Sequence, residues 1–262
     1  MRKTVFIMMI CAAAVSRALY AHAFTAEEIV EKANQATYYQ ADDGNARVNM
    51  VITDSLGRTR ERNMTILRRD GGDGKEQKYY VYFDKPSDVK GMTYLVWKHP
   101  GKDDDRWLYL PALDLVRRVA ASDKRSSFVG SHFSYEDISG RSTDEDTHTL
   151  AGEDENSYQI KSVPRDPGSV EFSYFVTYID KNSFIPSRSE YYDKNGKLYK
   201  TIEALEVKDV KGYPTVVKMK AVNLDANGYT VSEFSDIEYD TGLNDDMFTE
   251  RYLRRPPRQY IK

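Results

Sequence analysis

The sequence predicts a mainly β protein: a curved antiparallel sheet of about eleven strands, closing into an incomplete barrel, with one N-terminal helix and a helical or loop lid. Three observations carry this. Apolar and polar residues alternate over most of the chain. Tight-turn signals separate the alternating runs, and clear helical periodicity occurs once. A sheet of that size must bury one face or close on itself, and a single long helix cannot cover it flat.

The first 23 residues read as an export signal. Arg2 and Lys3 form a basic start, Val5 to Val15 a short apolar core, and Ala21-His22-Ala23 a small-x-small cleavage pattern. The core is far shorter than the ~20 residues that span a bilayer. The expectation is therefore a cleaved signal, a periplasmic location and one domain over residues 24–262. The alternative is a membrane-anchored lipoprotein acylated at Cys11; the bulky Ile10 before it speaks against that reading.

Thr25-Ala26-Glu27-Glu28 has the spacing of a capping box, and Ile29, Val30, Ala33 and Ala36 follow at helical intervals, predicting a helix over 26–40. Val48, Met50 and Ile52 then share one strand face. The turn Asp54–Gly57 follows, and Met64 and Ile66 lie on one face of the returning strand. Further strands are predicted at 78–83, 92–98, 106–110, 114–120, 157–163, 171–179, 187–193, 198–208, 215–224 and 229–239. Asp193–Gly196 and Asp225–Gly228 contain Asn-Gly, a strong hairpin signal. Residues 122–146 form a long polar stretch with one short helix, capped by Ser134 and Asp137, with Tyr135 and Ile138 turned inward.

Composition narrows the function. Without the signal, which holds three basic residues and no acidic one, 35 basic side chains face 41 acidic ones, a formal charge of −6. A nucleic-acid binder would show a clustered basic excess instead. Beyond Cys11 there is no thiol, so no disulfide or cysteine metal site; the histidines His99, His132 and His148 are widely spaced, and no metal or cofactor is expected. Asp103-Asp104-Asp105 reads as a solvated hairpin tip, and Arg254-Arg255-Pro256-Pro257-Arg258 as a frayed basic end. Ser131-His132 near Glu136 and Asp137 lacks a nucleophile-elbow motif, so capping is the simpler reading and no enzyme is expected. Tyr is frequent, at 20 residues, which suits strand packing and, more sharply, an apolar interior.

Two motifs are specific. One is Trp107-Leu108-Tyr109-Leu110-Pro111, then Arg117-Arg118-Val119, then Gly130-Ser131-His132-Phe133-Ser134-Tyr135-Glu136-Asp137; the other is Gly242-Leu243-Asn244-Asp245-Asp246-Met247-Phe248 near the end. Together they resemble the outer-membrane lipoprotein-sorting family, relatives of the carrier LolA and the receptor LolB; His132 departs from the Asp or Asn expected there. The resemblance implies a half-barrel whose apolar cavity holds the acyl chains of a lipid or lipoprotein, reached by transient membrane contact. It also implies a link to an inner-membrane RND-type (MMPL-like) transporter. On this basis the expected cavity or lid residues are Met92, Tyr94, Leu95, Trp97, Trp107, Tyr109, Leu110, Phe128, Phe133 and Tyr135, with Arg117 and Arg118 as polar contacts to the lid or a headgroup. A non-transporting envelope scaffold that grips a transporter and an enzyme acting on lipid or glycan are the other readings.

Overall fold

Helix α1, Ala26–Tyr38, begins where Thr25 predicts. The Glu28 amide donates to Thr25 Oγ1 at 3.2 Å, and the Thr25 amide donates to the Glu28 carboxylate at 2.8 Å. The computed structural model describes residues 24–71 and 76–261, so the expected signal segment and Cys11 lie outside the described residues. The buried side of α1, Ala26, Ile29 and Ala33, packs on Ile160 and Ile179 of the sheet.

Among the described residues, thirteen strands form one antiparallel sheet. In chain order they are β1 Asp43–Thr53, β2 Thr59–Asp70, β3 Gln77–Lys85, β4 Thr93–Lys98, β5 Asp105–Leu110 and β6 Leu115–Arg118. Then come β7 Asp146–Glu153, β8 Ser157–Pro164, β9 Phe172–Asp180, β10 Pro186–Asp193, β11 Leu198–Val210, β12 Tyr213–Asn223 and β13 Gly228–Tyr239. The chain starts in the middle, since β1 pairs with both β2 and β13. It meanders out to β6 at one edge, and residues 119–145 carry it to β7 at the opposite edge, from which it meanders back. This crossover contains the short helix α2, Tyr135–Ser139, capped reciprocally by Ser134 and Asp137 as predicted.

Two turns follow their sequence signals. Asp54 and Asp193 each accept backbone N–H bonds across their turns, and Gly57 and Gly196 take the positive φ that closes them. The third differs: Asn227 adopts φ 47°, while Gly228 begins β13 with ordinary φ. Gly228 is needed for a different reason, because a Cβ there would stand 2.5 Å from His132 Nε2 and 3.0 Å from the Thr53 carbonyl oxygen.

The sheet has slightly more strands than the expected eleven or so, and the one that no marked run anticipated is β7. β7 carries little apolar alternation and leaves Thr147, Thr149 and Leu150 exposed, as an edge strand can. The C-terminal region is a correction. Far from fraying, residues 243–261, including helix α3 (Glu250–Arg254), cover the outer face of β2–β5, burying Leu243, Met247, Phe248 and Leu253 on Leu67, Tyr80, Leu95 and Trp107. Buried Asp43 anchors the start of this strap, accepting from the amides of Thr241 at 2.7 Å and Leu243 at 2.8 Å.

Candidate functional site

Alternation sorts the apolar side chains of the sheet onto two faces. On the inner face, Val48, Met50 and Ile52 of β1 and Met64 of β2 are buried, the sets that alternation predicted. Toward the β6 edge this face is filled. Phe128 of the crossover is fully buried against Phe83, Tyr94 and Tyr135, with ring centroids 5.8, 5.6 and 5.4 Å away.

Beyond this aromatic plug the inner face holds a hollow of about 410 Å³. Its walls come from ten strands that are consecutive in the sheet, β3-β2-β1-β13-β12-β11-β10-β9-β8-β7. At ~4.8 Å between neighbours, ten flat strands would spread over about 43 Å, so a shared hollow requires a strongly curved sheet. The lining is mostly apolar: Val48, Met50, Met64, Ile66, Ile160, Ile179, Ile202, Met219 and Phe234, with Val30 and Ala33 of α1 opposite.

One wall is ionic, and it fastens the crossover. Glu136, 1 % exposed, receives Lys124 at 3.1 Å, Arg125 at 3.0 Å and Arg141 at 3.2 Å. Asp137 pairs with Lys200 of β11 and, at 3.5 Å, with Arg125. Arg141 binds Asp146 of β7 at 2.8 Å, and Arg125 reaches Glu171 at 2.8 Å. Burial works to raise the Asp137 carboxyl, but the charges of Lys200 and Arg125 outweigh it and hold it at about 2. Burial likewise opposes ionisation of Glu136, and its three cations prevail, lowering its pKa. The expected lid is therefore a strap tied to the sheet by buried ion pairs and aromatic rings. It lacks the loose packing of a segment that opens at low free energy.

The ten expected cavity residues separate. Met92, Tyr94, Phe128, Phe133 and Tyr135 are buried on the inner face, with Leu110 packed against them, but only Phe133 borders the hollow; the others form the plug. Leu95, Trp97, Trp107 and Tyr109 point outward under the C-terminal strap, where Trp97 Nε1 donates to the Phe248 carbonyl at 2.6 Å. β4 and β5 are apolar on both faces because both are covered, and that hides the pleat from a reading of hydrophobicity. Arg117 and Arg118 point to opposite faces and neither reaches the hollow. Arg118 pairs with Asp105 and stacks on Trp107 at 5.9 Å, while exposed Arg117 acts electrostatically on the Tyr135 phenol. The acidic tip is also knitted in: Asp104 receives buried Arg106 at 2.6 Å, and Asp105 pairs with His99 at 3.0 Å.

Ser131 and His132 do not form a nucleophile–base pair. Ser131 Oγ bonds the Phe133 backbone, whereas His132 Nδ1 lies 2.9 Å from Thr230 Oγ1 on β13. Burial and then the Lys200 charge push the His132 imidazole below its usual pKa. The histidine at this unexpected position thus anchors the strap tip.

The curved antiparallel sheet is a fold that this chain shares with solved proteins. A family model described as an uncharacterized-protein-like family matches residues 75–255. The chain belongs to the DUF1329 family: it is 30% identical to a member of that family from Desulfovibrio piger, with a TM-score of 0.81 over 87% of this chain and 97% of that one. It is 27% identical to a domain from Vibrio parahaemolyticus described as outer membrane lipoprotein-sorting, with a TM-score of 0.80 over 88% of this chain and 98% of that one. A LolA superfamily protein from Nitrosomonas europaea shares the fold at 20% identity, with a TM-score of 0.69 over 88% of this chain and all of the other. No curated protein matches the chain in sequence.

Proposed function

We propose that the protein is a periplasmic carrier that shelters the acyl chains of a lipid or lipoprotein and moves it reversibly between envelope membranes, without covalent chemistry. The observation that carries this is the apolar hollow walled by ten strands and α1. At ~30 Å³ for a water-sized group, 410 Å³ receives about a dozen methylenes. At ~0.8 kcal/mol for each methylene removed from water, that is about 10 kcal/mol before the losses of binding are subtracted. The lipoprotein-sorting description of the Vibrio parahaemolyticus domain points the same way. Phe133 and the alternating sets of β1, β2 and β8–β13 would touch the tails.

Membrane contact is supported by one corner of the molecule. Leu113, 70% exposed, and Leu115, 45% exposed, flank Asp114, whose carboxylate pairs with Arg254, and exposed Arg117 follows on the same strand, an apolar tip with a free-standing cation beside it, as a bilayer surface can accept. An RND-type donor transporter enters this proposal on the family resemblance alone.

Native mass spectrometry of protein purified from its own envelope tests the reading. Co-purifying phospholipid or acylated protein, exchangeable with added fatty acid, is expected. A clean mass together with failure to take up fatty acid would replace the carrier with a scaffold.

A further inference from the structure

A second, polar hollow of about 230 Å³ adjoins the apolar one, and Asn34, Arg141, Ser142 and Thr143 line both. It is framed by the C-terminal half of α1, the β4–β5 turn and the crossover. Its charges are of both signs. Lys98, 7% exposed, directs its ammonium to the carbonyls of Ser139 at 2.7 Å and Gly140 at 3.3 Å. Glu31 accepts from Gln35 at 2.9 Å, and Asp144 from Ser142 at 2.6 Å. Among the described residues, none of these three has an oppositely charged side chain within 4.0 Å, although each borders the same space. The other charged groups that border it are compensated, Arg141 by Asp146 and Glu145, Asp104 by Arg106, and His99 by Asp105.

A buried ammonium held in direct contact only by backbone carbonyls, lining one hollow with two carboxylates that touch no cation, matches a ligand carrying an anion and a cation a few bonds apart. At ~30 Å³ per water-sized group, the volume suits a phosphoethanolamine head. We infer that the polar hollow is the headgroup site of a zwitterionic phospholipid, its phosphate at Lys98 and its amine at Glu31 and Asp144, with the tail passing the Asn34–Arg141 wall into the apolar hollow. This rests on the carrier reading and names its cargo. A phosphoglycerol head lacks the cation and would set its phosphate near two unneutralised carboxylates; a bare fatty acid leaves the polar hollow empty.

The test compares lysophosphatidylethanolamine, lysophosphatidylglycerol and a fatty acid of the same tail, each displacing a fluorescent fatty acid from the full-length mature protein. The ethanolamine lipid is expected to bind about tenfold more tightly than the other two, the effect of one favourable charge-assisted contact. Glu31→Gln and Asp144→Asn, both at exposed positions that tolerate substitution, should remove most of that preference and leave fatty-acid affinity unchanged. Lys98→Met should do the same in a variant confirmed folded by circular dichroism. Equal affinity for the three ligands, or a preference that survives in Glu31→Gln and Asp144→Asn, overturns the head site and leaves the carrier intact. Tighter binding of a diacylglyceryl-cysteine peptide assigns the cargo to lipoproteins and also overturns it. Failure of all ligands to bind overturns both readings.

Discussion

Asp137 shows how a single residue couples the strap to the sheet. Its side chain is 5% exposed and meets Lys200, itself 7% exposed, while the Ser134 amide donates to the same carboxylate at 2.6 Å. Because the folded carboxyl is held at about 2, below the ordinary 3.8, the unfolded chain binds the proton first as pH falls. The associated stability is complete above about pH 4 and disappears on acidification through about pH 2, and is worth about 2 kcal/mol. Asp137→Asn keeps the shape but strands the buried ammonium of Lys200, which typically costs ~3–5 kcal/mol. Urea denaturation should show a loss of about 3 kcal/mol at pH 7, and the gap to the parent should narrow between pH 4 and 2. Equal stability at pH 7 would show that Lys200 finds another partner.

Among the elements, the C-terminal strap decides whether β2–β5 can be apolar on both sides. Phe248 is fully buried between β3 and β4, beside Tyr80, Leu95 and Trp97, and its carbonyl holds the Trp97 indole. Phe248→Ala should destabilise by ~3–5 kcal/mol, the usual range for emptying a buried aromatic site, and expose tryptophan to water. A chemical melt followed by tryptophan emission measures both, and a loss below about 1 kcal/mol would mean that the strap is dispensable. The same element explains what the sequence made legible. Where one face is covered, alternation reads correctly, as in Val48-Met50-Ile52 and in Met64-Ile66. Where both are covered, as in Tyr79-Tyr80-Val81-Tyr82-Phe83 or Leu95 and Trp97, every residue is apolar and the pleat leaves no trace in composition. The expected site was drawn from the motif segment, which builds the plug, its cover and the strap. The hollow is lined by strands whose only signal was plain alternation, which every β-sheet shares. β7 escaped notice for the opposite reason, since its exposed edge asks for no apolar pattern.

At the scale of the whole molecule the question is why a folded chain keeps a hollow at all. Closed and dry, 410 Å³ at ~24 cal/mol per Å³ of cavity would cost about 10 kcal/mol, comparable with the entire ~5–15 kcal/mol that stabilises a domain. Ordinary core packing removes such voids. The ten-strand curvature, held open by the ion-paired crossover on one side and α1 on the other, keeps this one. Ala46 on β1 and Ala204 on β11 border the hollow with the smallest side chains available there, so Ala46→Trp and Ala204→Trp would each place an indole where a tail would lie. A mere packing defect gains stability when filled and loses no function. A carrier keeps or gains stability and loses its cargo. Denaturation midpoints should therefore stay level or rise, while fatty-acid affinity drops by about tenfold or more, as expected when several methylenes at ~0.8 kcal/mol each are excluded. Unchanged affinity in both variants would place the tail elsewhere and leave the hollow without a ligand.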